Sequence, residues 1–293
     1  MRFGAGKQMA SAGTSSAEDQ AVVDDFAIAL AEDAAKKRSH ARDVYGFILG
    51  VLMPPKQLRE PYEAFATKLA QLDAGIYVYP VDHLHCTIST LIMFKSDCSK
   101  ALARSDPSIQ KAVVDAWKTA LSKHFPAIGV RELGRPDAAD SMTDEVKWPS
   151  SSVLSPGQTL KPLSFTFVKP RISKAAAFFE LKDNAGVIDS LRKAIRLAAT
   201  DPILDPYREK LGDFRFHVPE IVHSSFARFK QPLQSSYSHF EKQFDQLAAE
   251  AWKPVTVTVD RFFLCLEDTA YMHITKDWKC LMMGYGFPES VVS

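Results

Sequence analysis

A polar stretch near the middle of the sequence does most to limit how this chain can fold. Residues 126–161 are rich in Pro, Gly, Ser and Asp and show no sustained helical or strand period. Loops of that length inside a compact domain are usually functional or disordered, so we expect a long loop or insertion here. On each side of it, apolar patterns typical of strands and helices follow one another in a similar order. This order predicts an α+β fold with two halves.

The apolar patterns divide the chain into four segments. Residues 1–40 predict a disordered tail and a helix over 18–37, residues 41–125 a first lobe, residues 126–161 the insertion, and residues 162–293 a second lobe. In the first lobe we expect a strand from Tyr45, a helix over 57–72, a strand pair at 77–80 and 83–94, and a helix opened by Asp106 and Pro107. The second lobe predicts strands and amphipathic helices in alternation, closing with a hairpin.

Composition excludes several classes of protein. There are 36 basic and 35 acidic residues, and this balance argues against wrapping long nucleic acid, although a small phosphorylated ligand is allowed. The best apolar run, residues 84–94, is shorter than the roughly 18 residues of a membrane span. The four cysteines have no CxxC spacing, and the N-terminus does not resemble a secretory signal. We therefore expect reduced thiols and a cytoplasmic protein, with the nucleus as the alternative.

Two short motifs contain the residues best suited to chemistry. His85 and Thr87 form H-x-T, and His223 and Ser225 form H-x-S, each in a predicted strand. Residues i and i+2 of a strand share a face, so each motif places an imidazole beside a hydroxyl. Two such faces opposite each other would surround a phosphodiester. The hydroxyls would donate to its non-bridging oxygens, while one histidine takes a proton from the nucleophile and the other protonates the leaving oxygen.

At these positions the sequence resembles the two-histidine (2H) phosphoesterase superfamily, which includes RNA ligase-like and cyclic nucleotide phosphodiesterase proteins. The family pattern H-x-[T/S]-hydrophobic is matched by His85-Cys86-Thr87-Ile88 and His223-Ser224-Ser225-Phe226. The resemblance implies a bilobed α+β fold, with two antiparallel-sheet lobes and outer helices around a central cleft. It also implies chemistry without a metal or other cofactor. The implied substrate is a 2',3'-cyclic phosphate or RNA end, so a nucleotide or RNA 3' end is the expected partner.

Several aromatic and basic residues are candidate substrate contacts. A nucleobase could stack on aromatic rings close to the motifs, namely Tyr77, Tyr79, Phe226 and Tyr271. Arg228 follows the second motif and is similar to a basic residue that often follows it in relatives. Strand parity, however, places Arg228 on the face opposite His223 unless a bulge intervenes.

His83 allows a different interpretation of the first motif. It shares strand parity with His85, and H-x-H is a familiar zinc spacing. A zinc site would need further ligands, and no spacing in the sequence fixes His217 or Asp82 to that face. We therefore expect no metal, with His83 at the strand entrance, exposed or lining the rim of the cleft. His273 is expected to be a surface or packing residue without partners.

The sequence thus predicts a monomeric phosphoric diester hydrolase that uses His85 and His223 as acid and base and Thr87 and Ser225 to bind phosphate. Which histidine is the acid stays open, as does the linkage that is cleaved. The alternative from another class is a nucleotide- or RNA-binding module of the same fold without turnover. A scaffold whose insertion recruits a protein partner is compatible with either function.

Overall fold

The structure is a computed structural model that describes residues 19–35, 45–134, 159–273 and 280–289. The expected tail of residues 1–16 and most of the expected insertion, residues 135–158, lie outside these described residues. Among the described helices, none is both long and apolar enough to cross a membrane.

Helices and strands alternate along the described chain. The helices are α1 (Asp25–Ala35), α2 (Pro55–Leu72), α3 (Asp97–Ala103), α4 (Pro107–His124), α5 (Ile188–Ala199), α6 (Asp205–Leu211) and α7 (Tyr237–Ala251). The strands are β1 (Gly46–Leu52), β2 (Ile76–Val78), β3 (His85–Ile92), β4 (Arg131–Gly134), β5 (Leu163–Ile172), β6 (Ala176–Asp183), β7 (His223–Phe229), β8 (Val255–Val259), β9 (Phe262–Glu267) and β10 (Leu281–Gly286). The α+β class expected from the sequence is confirmed.

The described strands form two antiparallel sheets of five strands each, as expected for a bilobed fold. The first sheet has the order β3-β1-β9-β10-β4, and the second has the order β2-β7-β6-β5-β8. β1 is apolar and almost wholly buried because β3 and β9 lie on either side of it. β3 of the first sheet and β7 of the second lie against each other, so the two motif strands meet where the sheets meet.

Each sheet contains strands from both halves of the sequence. β2 belongs to the second sheet, whereas β9 and β10, from the end of the chain, belong to the first. The expected division into lobes of residues 41–125 and 162–293 therefore does not hold for sheet membership. The expected pairing of β2 with β3 is wrong, because β2 pairs with β7 and β3 pairs with β1.

The helices are exchanged between the sheets in the same way. α2 follows β1 of the first sheet but packs with α7 over the second, and its buried stripe consists of Leu58, Tyr62, Phe65 and Leu69. α5 follows β6 of the second sheet but packs against β3 and α4. The exchange places a helix from the second half of the chain beside the motif strand of the first half.

The helix boundaries follow local capping chemistry. α4 begins as predicted, with Pro107 in its first turn and the Asp106 carboxylate accepting from the Ser108 backbone N–H. α1 begins at Asp25 rather than at residue 18, because the Asp24 carboxylate accepts from the first backbone N–H groups of the helix.

β4 lies inside the stretch expected to be a loop and pairs with β10. No sequence pattern used above predicts α3 or α6.

Candidate active site

The first motif lies at the start of β3. His85 and Thr87 share one face of the strand, whereas Cys86 between them is fully buried. His85 is only 8% exposed, and Thr87 is half-buried. Thr87 pairs with Gly50 of β1, so no side chain from β1 stands beside the Thr87 hydroxyl.

The second motif lies in the equivalent place, at the start of β7. His223 and Ser225 share a face and are both half-buried, whereas Ser224 is fully buried. Ser225 pairs with Phe178 of β6, whose ring meets the His223 ring edge-on with centroids 5.6 Å apart. An aromatic ring therefore flanks this motif, where the first has a glycine.

A β-bulge follows each motif at the same position. In β3 the register with β1 shifts after Thr87, which leaves Ile88 as the extra residue. In β7 the register with β6 shifts after Ser225, which leaves Phe226 as the extra residue. Both extra residues are fully buried, so the apolar fourth residue of each motif anchors a bulge in the core. The two motifs are thus equivalent in backbone register as well as in sequence.

The bulges change the face on which later residues of each strand lie. Arg228 falls on the same face as His223 and Ser225, because the register shift cancels the parity expected for an unbroken strand. Thr90 takes the corresponding position in β3. The parity expectation for Arg228 is therefore corrected by a bulge, the one feature that could overturn it.

Each motif histidine is oriented by a backbone carbonyl two residues before it. His85 Nδ1 lies 2.9 Å from the His83 carbonyl oxygen, and His223 Nδ1 lies 3.4 Å from the Ile221 carbonyl oxygen. A carbonyl oxygen can only accept, so Nδ1 holds the proton and donates it in both contacts. In the neutral ring Nε2 is then the proton acceptor, and it is the nitrogen left for a substrate.

The two histidines differ in burial and in charged neighbours. Burial lowers the pKa of His85 to about 4, with a smaller contribution from the charge of His223 and against the opposing effect of the hydrogen bond to the His83 carbonyl. Burial also lowers the pKa of His223, and the charges of Arg192, Arg228 and His217 act in the same direction. Both rings are therefore mostly neutral near pH 7 until an anion offsets these costs.

The motif hydroxyls are available to a ligand. Within the described part of the chain, neither Thr87 Oγ1 nor Ser225 Oγ makes a hydrogen bond, and both side chains are half-buried. A hydroxyl in that position can donate to a phosphoryl oxygen without breaking an existing contact.

Cys86 does not have the properties of a nucleophile. Burial raises the pKa of its thiol to about 12, against smaller opposing effects of the Arg192 charge and the His223 backbone N–H. A thiol with so high a pKa is almost wholly protonated at neutral pH.

Arg228 is held in a cluster at one end of the motif face. Its Nε donates to the Tyr79 hydroxyl at 3.3 Å, and its guanidinium carbon lies 4.1 Å from the centre of the Tyr271 ring. Arg228 Nη1 is 3.7 Å from the Asp24 carboxylate, which also accepts from the Tyr271 hydroxyl and from Lys95 Nζ. Tyr271 has φ of 57°, a left-handed conformation that costs a non-glycine residue energy.

The aromatic candidates are buried, as is usual for aromatic residues in strands. Phe226 is fully buried, Tyr79 is 1% exposed and Tyr271 is 9% exposed. Ala27 and Leu30 of α1 pack over the tyrosines. The expected stacking of a base on these rings is therefore not available in this structure, because α1 and the core already cover them.

His83 lies in a short 3-10 turn just before β3 and is half-buried. Its ring stacks on the ring of His273, with centroids 4.5 Å apart. His273 is fully buried and also meets the Tyr79 ring edge-on, so the expectation that it has no partners is wrong. Among the described residues, no group of three or more His, Cys, Asp or Glu side chains is arranged to hold a metal ion.

Two residues near the site, Arg192 and Asp24, were not among the sequence candidates, and a third, His217, was considered only as a possible zinc ligand. Arg192 lies on α5, where a charge interrupting the apolar stripe could have been noticed. Asp24 could have been recognised as a helix N-cap, although not as a partner of Arg228. His217 forms a β-bridge with Thr90, with N···O distances of 2.8 and 2.9 Å, and no local pattern predicts that pairing.

Comparisons with known proteins are sparse. No family model and no curated protein matches the sequence. One similar solved structure is described as the crystal structure of TT0787 of Thermus thermophilus. It is 14% identical, and the match covers 75% of this chain and 87% of that chain with a TM-score of 0.37. A likeness this low supports no functional conclusion.

Proposed function

We propose that this chain is a metal-independent phosphodiesterase that hydrolyses a 2',3'-cyclic phosphate or an RNA-end phosphodiester. One observation supports this most strongly: two motif strands that lie against each other present a histidine and an available hydroxyl in the same backbone setting. Binding alone requires donors, but a matched pair of oriented imidazoles also suits proton transfer in two directions.

In the proposed reaction, His85 is the general base and His223 the general acid. His85 Nε2 takes a proton from water as the water oxygen bonds to phosphorus. The bond from phosphorus to the ribose oxygen breaks, and that oxygen takes a proton from His223 Nε2. Thr87 and Ser225 donate to the non-bridging oxygens, where negative charge builds up in the transition state.

The assignment of roles follows from the surroundings. His85 is the more buried ring, and its pKa of about 4 keeps it neutral and able to accept a proton over a wide pH range. His223 lies near three cationic or titratable side chains that disfavour its protonated form. A bound phosphate would offset those charges, so substrate binding would favour the protonated His223 that an acid requires.

A second candidate is a nucleotide- or RNA-binding module without turnover. The lowered pKa values of both histidines favour it, because few rings in the free protein are protonated and ready to act as the acid. In that case the hydroxyls and Arg228 would bind a phosphate that is not cleaved.

The deciding experiment is an assay of 2',3'-cyclic nucleotides, 2',5'-linked and 3',5'-linked oligonucleotides, with product analysis. Each reaction is run with and without a strong chelator and with a variant lacking both histidines. We expect turnover of at least one substrate that survives chelation and disappears in the variant. Tight binding without products would support the binding module. Activity lost to the chelator and restored by zinc would disprove the metal-independent mechanism.

A further inference from the structure

Arg192 is a buried cation that contacts both motif strands. It lies on α5 and is 4% exposed. Its Nη2 donates to the Ile221 carbonyl at 3.0 Å, just before β7, and its Nε donates to the Ile88 carbonyl in β3 at 3.4 Å. One guanidinium therefore joins the backbones of the two strands that hold the histidines.

The burial of Arg192 requires an explanation, because a buried charge is costly unless it is paired and hydrogen-bonded. It occupies a place on the buried stripe of α5, between Ile188 and Ile195, where an apolar residue would normally pack. Within the described residues Arg192 has no ion pair, and its bonds go to backbone carbonyls. Burial lowers the pKa of its guanidinium, although an arginine stays charged at neutral pH.

One accepting carbonyl contacts a motif histidine, and the other belongs to the bulged residue of the first motif. The Ile221 carbonyl also accepts from His223 Nδ1, so Arg192 fixes the group that selects the tautomer of that ring. Ile88 is the bulged fourth residue of the first motif, and a bulged residue lies outside the regular ladder. Arg192 therefore contacts the residue two positions before His223 and the bulged residue of β3.

We propose that Arg192 is a positioning residue that sets the spacing of His85 and His223 by joining the backbones of their strands. The inference rests on the proposed function, since it assigns the spacing a role in proton transfer. A planar guanidinium has several donors at fixed angles and can hold two carbonyls at once, whereas the lysine ammonium is a compact charge on a flexible chain.

Charge and geometry can be separated by two substitutions. Arg192→Lys keeps the charge but loses the two-sided bridge, and Arg192→Met loses both. The groups whose charge reaches His223 are Arg192 of α5, Arg228 of β7 and His217 of the adjacent bridge, and His223 in turn acts on His85 of β3. Arg196→Met is the matched control, because Arg196 lies one turn further along α5 and is exposed.

The experiment measures kcat, KM and the histidine titrations by NMR, together with urea unfolding to give the folded fraction. In Arg192→Lys we expect kcat to fall roughly 10²-fold with KM nearly unchanged, because small misplacements of reacting groups cost about that much. In Arg192→Met we expect the same loss, and the pKa of His223 should rise because a positive neighbour is gone. Both variants should show a smaller share of the Nδ1–H tautomer of His223. Arg196→Met should match the wild-type protein.

One outcome would overturn the inference. If kcat per folded molecule and the His223 tautomer stayed unchanged in both variants, Arg192 would be structural only. If Arg192→Met failed to fold, Arg192→Lys alone would decide, since its charge is retained. A wild-type protein inactive on every substrate would disprove the proposed function. The tautomer of His223 would even then report whether Arg192 positions that ring.

Discussion

At the start of β3 His85 is almost completely covered, whereas at the start of β7 His223 is half-buried and lies near three cationic or titratable side chains. The backbone around the two rings is the same: a histidine at the first strand position, Nδ1 donating to a carbonyl two residues back, and a bulge after the hydroxyl. The difference lies in what surrounds them. Gly50 flanks the first motif, and Phe178 flanks the second.

The two motifs combine one local backbone geometry with two different electrostatic surroundings. Orientation and tautomer are set by the strand and the preceding carbonyl, so both motifs share them. The pKa depends on burial and on charges from other elements, so the motifs differ in it. Arg228 and Thr90 occupy equivalent positions after the bulge, and only the second motif has a cation there.

The largest effect should come from removing either histidine. We expect His85→Ala and His223→Ala each to reduce kcat by about 10²- to 10⁴-fold, the usual range for a general acid or base. A substrate with a leaving group of low pKa should rescue His223→Ala and not His85→Ala, because such a group departs without a proton. The measurement is steady-state kinetics on this substrate and on one with an ordinary ribose leaving group. His239→Ala, on the exposed side of α7, is the control. Rescue of His85→Ala alone would exchange the two roles.

A smaller loss should follow removal of a hydroxyl. We expect Thr87→Ala and Ser225→Ala each to lower kcat/KM by about 10²-fold, because each removes one donor to the transition-state phosphate. Ser224→Ala is the matched control: Ser224 Oγ is buried and has no hydrogen-bond partner in the described structure. It should keep full activity and gain about 1 kcal/mol of stability. A loss in Ser224→Ala as large as in Ser225→Ala would contradict the assigned faces of β7.

The pH dependence of kcat/KM should show the difference in charge directly. The proposed reaction needs His85 neutral and His223 protonated in the free enzyme. The acidic limb should therefore lie near pH 4, where His85 gains a proton, and the alkaline limb below about 6.5, the ordinary histidine value. Arg228→Met removes a positive charge that lowers the pKa of His223, so the alkaline limb should move to higher pH. Movement of the acidic limb instead would assign the base to His223.

The smallest effect should be a loss of folding stability on substitution of Asp24, which contacts Arg228 at one end of the motif face. Burial raises the pKa of its carboxyl, but the Tyr271 hydroxyl, Lys95 and Arg228 outweigh this and leave the pKa below its usual value. Such a group stabilises the fold above its unfolded pKa, about 3.9, and this stability is lost as pH falls through its folded pKa. We expect Asp24→Asn, which keeps a good N-cap residue, to cost about 2 kcal/mol at pH 7.

Urea unfolding at pH 7 and at pH 3 checks this prediction. The gap between wild type and Asp24→Asn should shrink at the lower pH, because pH 3 is below the unfolded pKa of about 3.9 and the carboxyl of the unfolded chain is then mostly protonated. Asp19→Asn is a control for a carboxylate in the same segment that accepts from the exposed Ser238, away from the motifs. A gap that stays constant with pH would show that Asp24 acts through its cap and not through its charge.

Local chemistry explains which parts of the fold could be predicted. The start of α4 follows from Asp106 and Pro107, and the strand character of β3 follows from its β-branched residues. The partner of β2 could not be predicted, because neighbouring strands in sequence need not pair when the chain crosses between sheets. The face of β7 on which Arg228 lies could not be predicted for a related reason. The bulge that decides it depends on the register of β7 with β6 and not on β7 alone.

The sequence by itself determined the α+β class, the two motif strands and the pairing of each histidine with a hydroxyl on one face, because these depend on side-chain periods within a few residues. Only the tertiary structure decided that the strands lie against each other, that His85 is the more buried ring and that Arg192 contacts both strands. Burial, register and charge at these positions arise between residues that are distant along the chain. No local pattern contains that information.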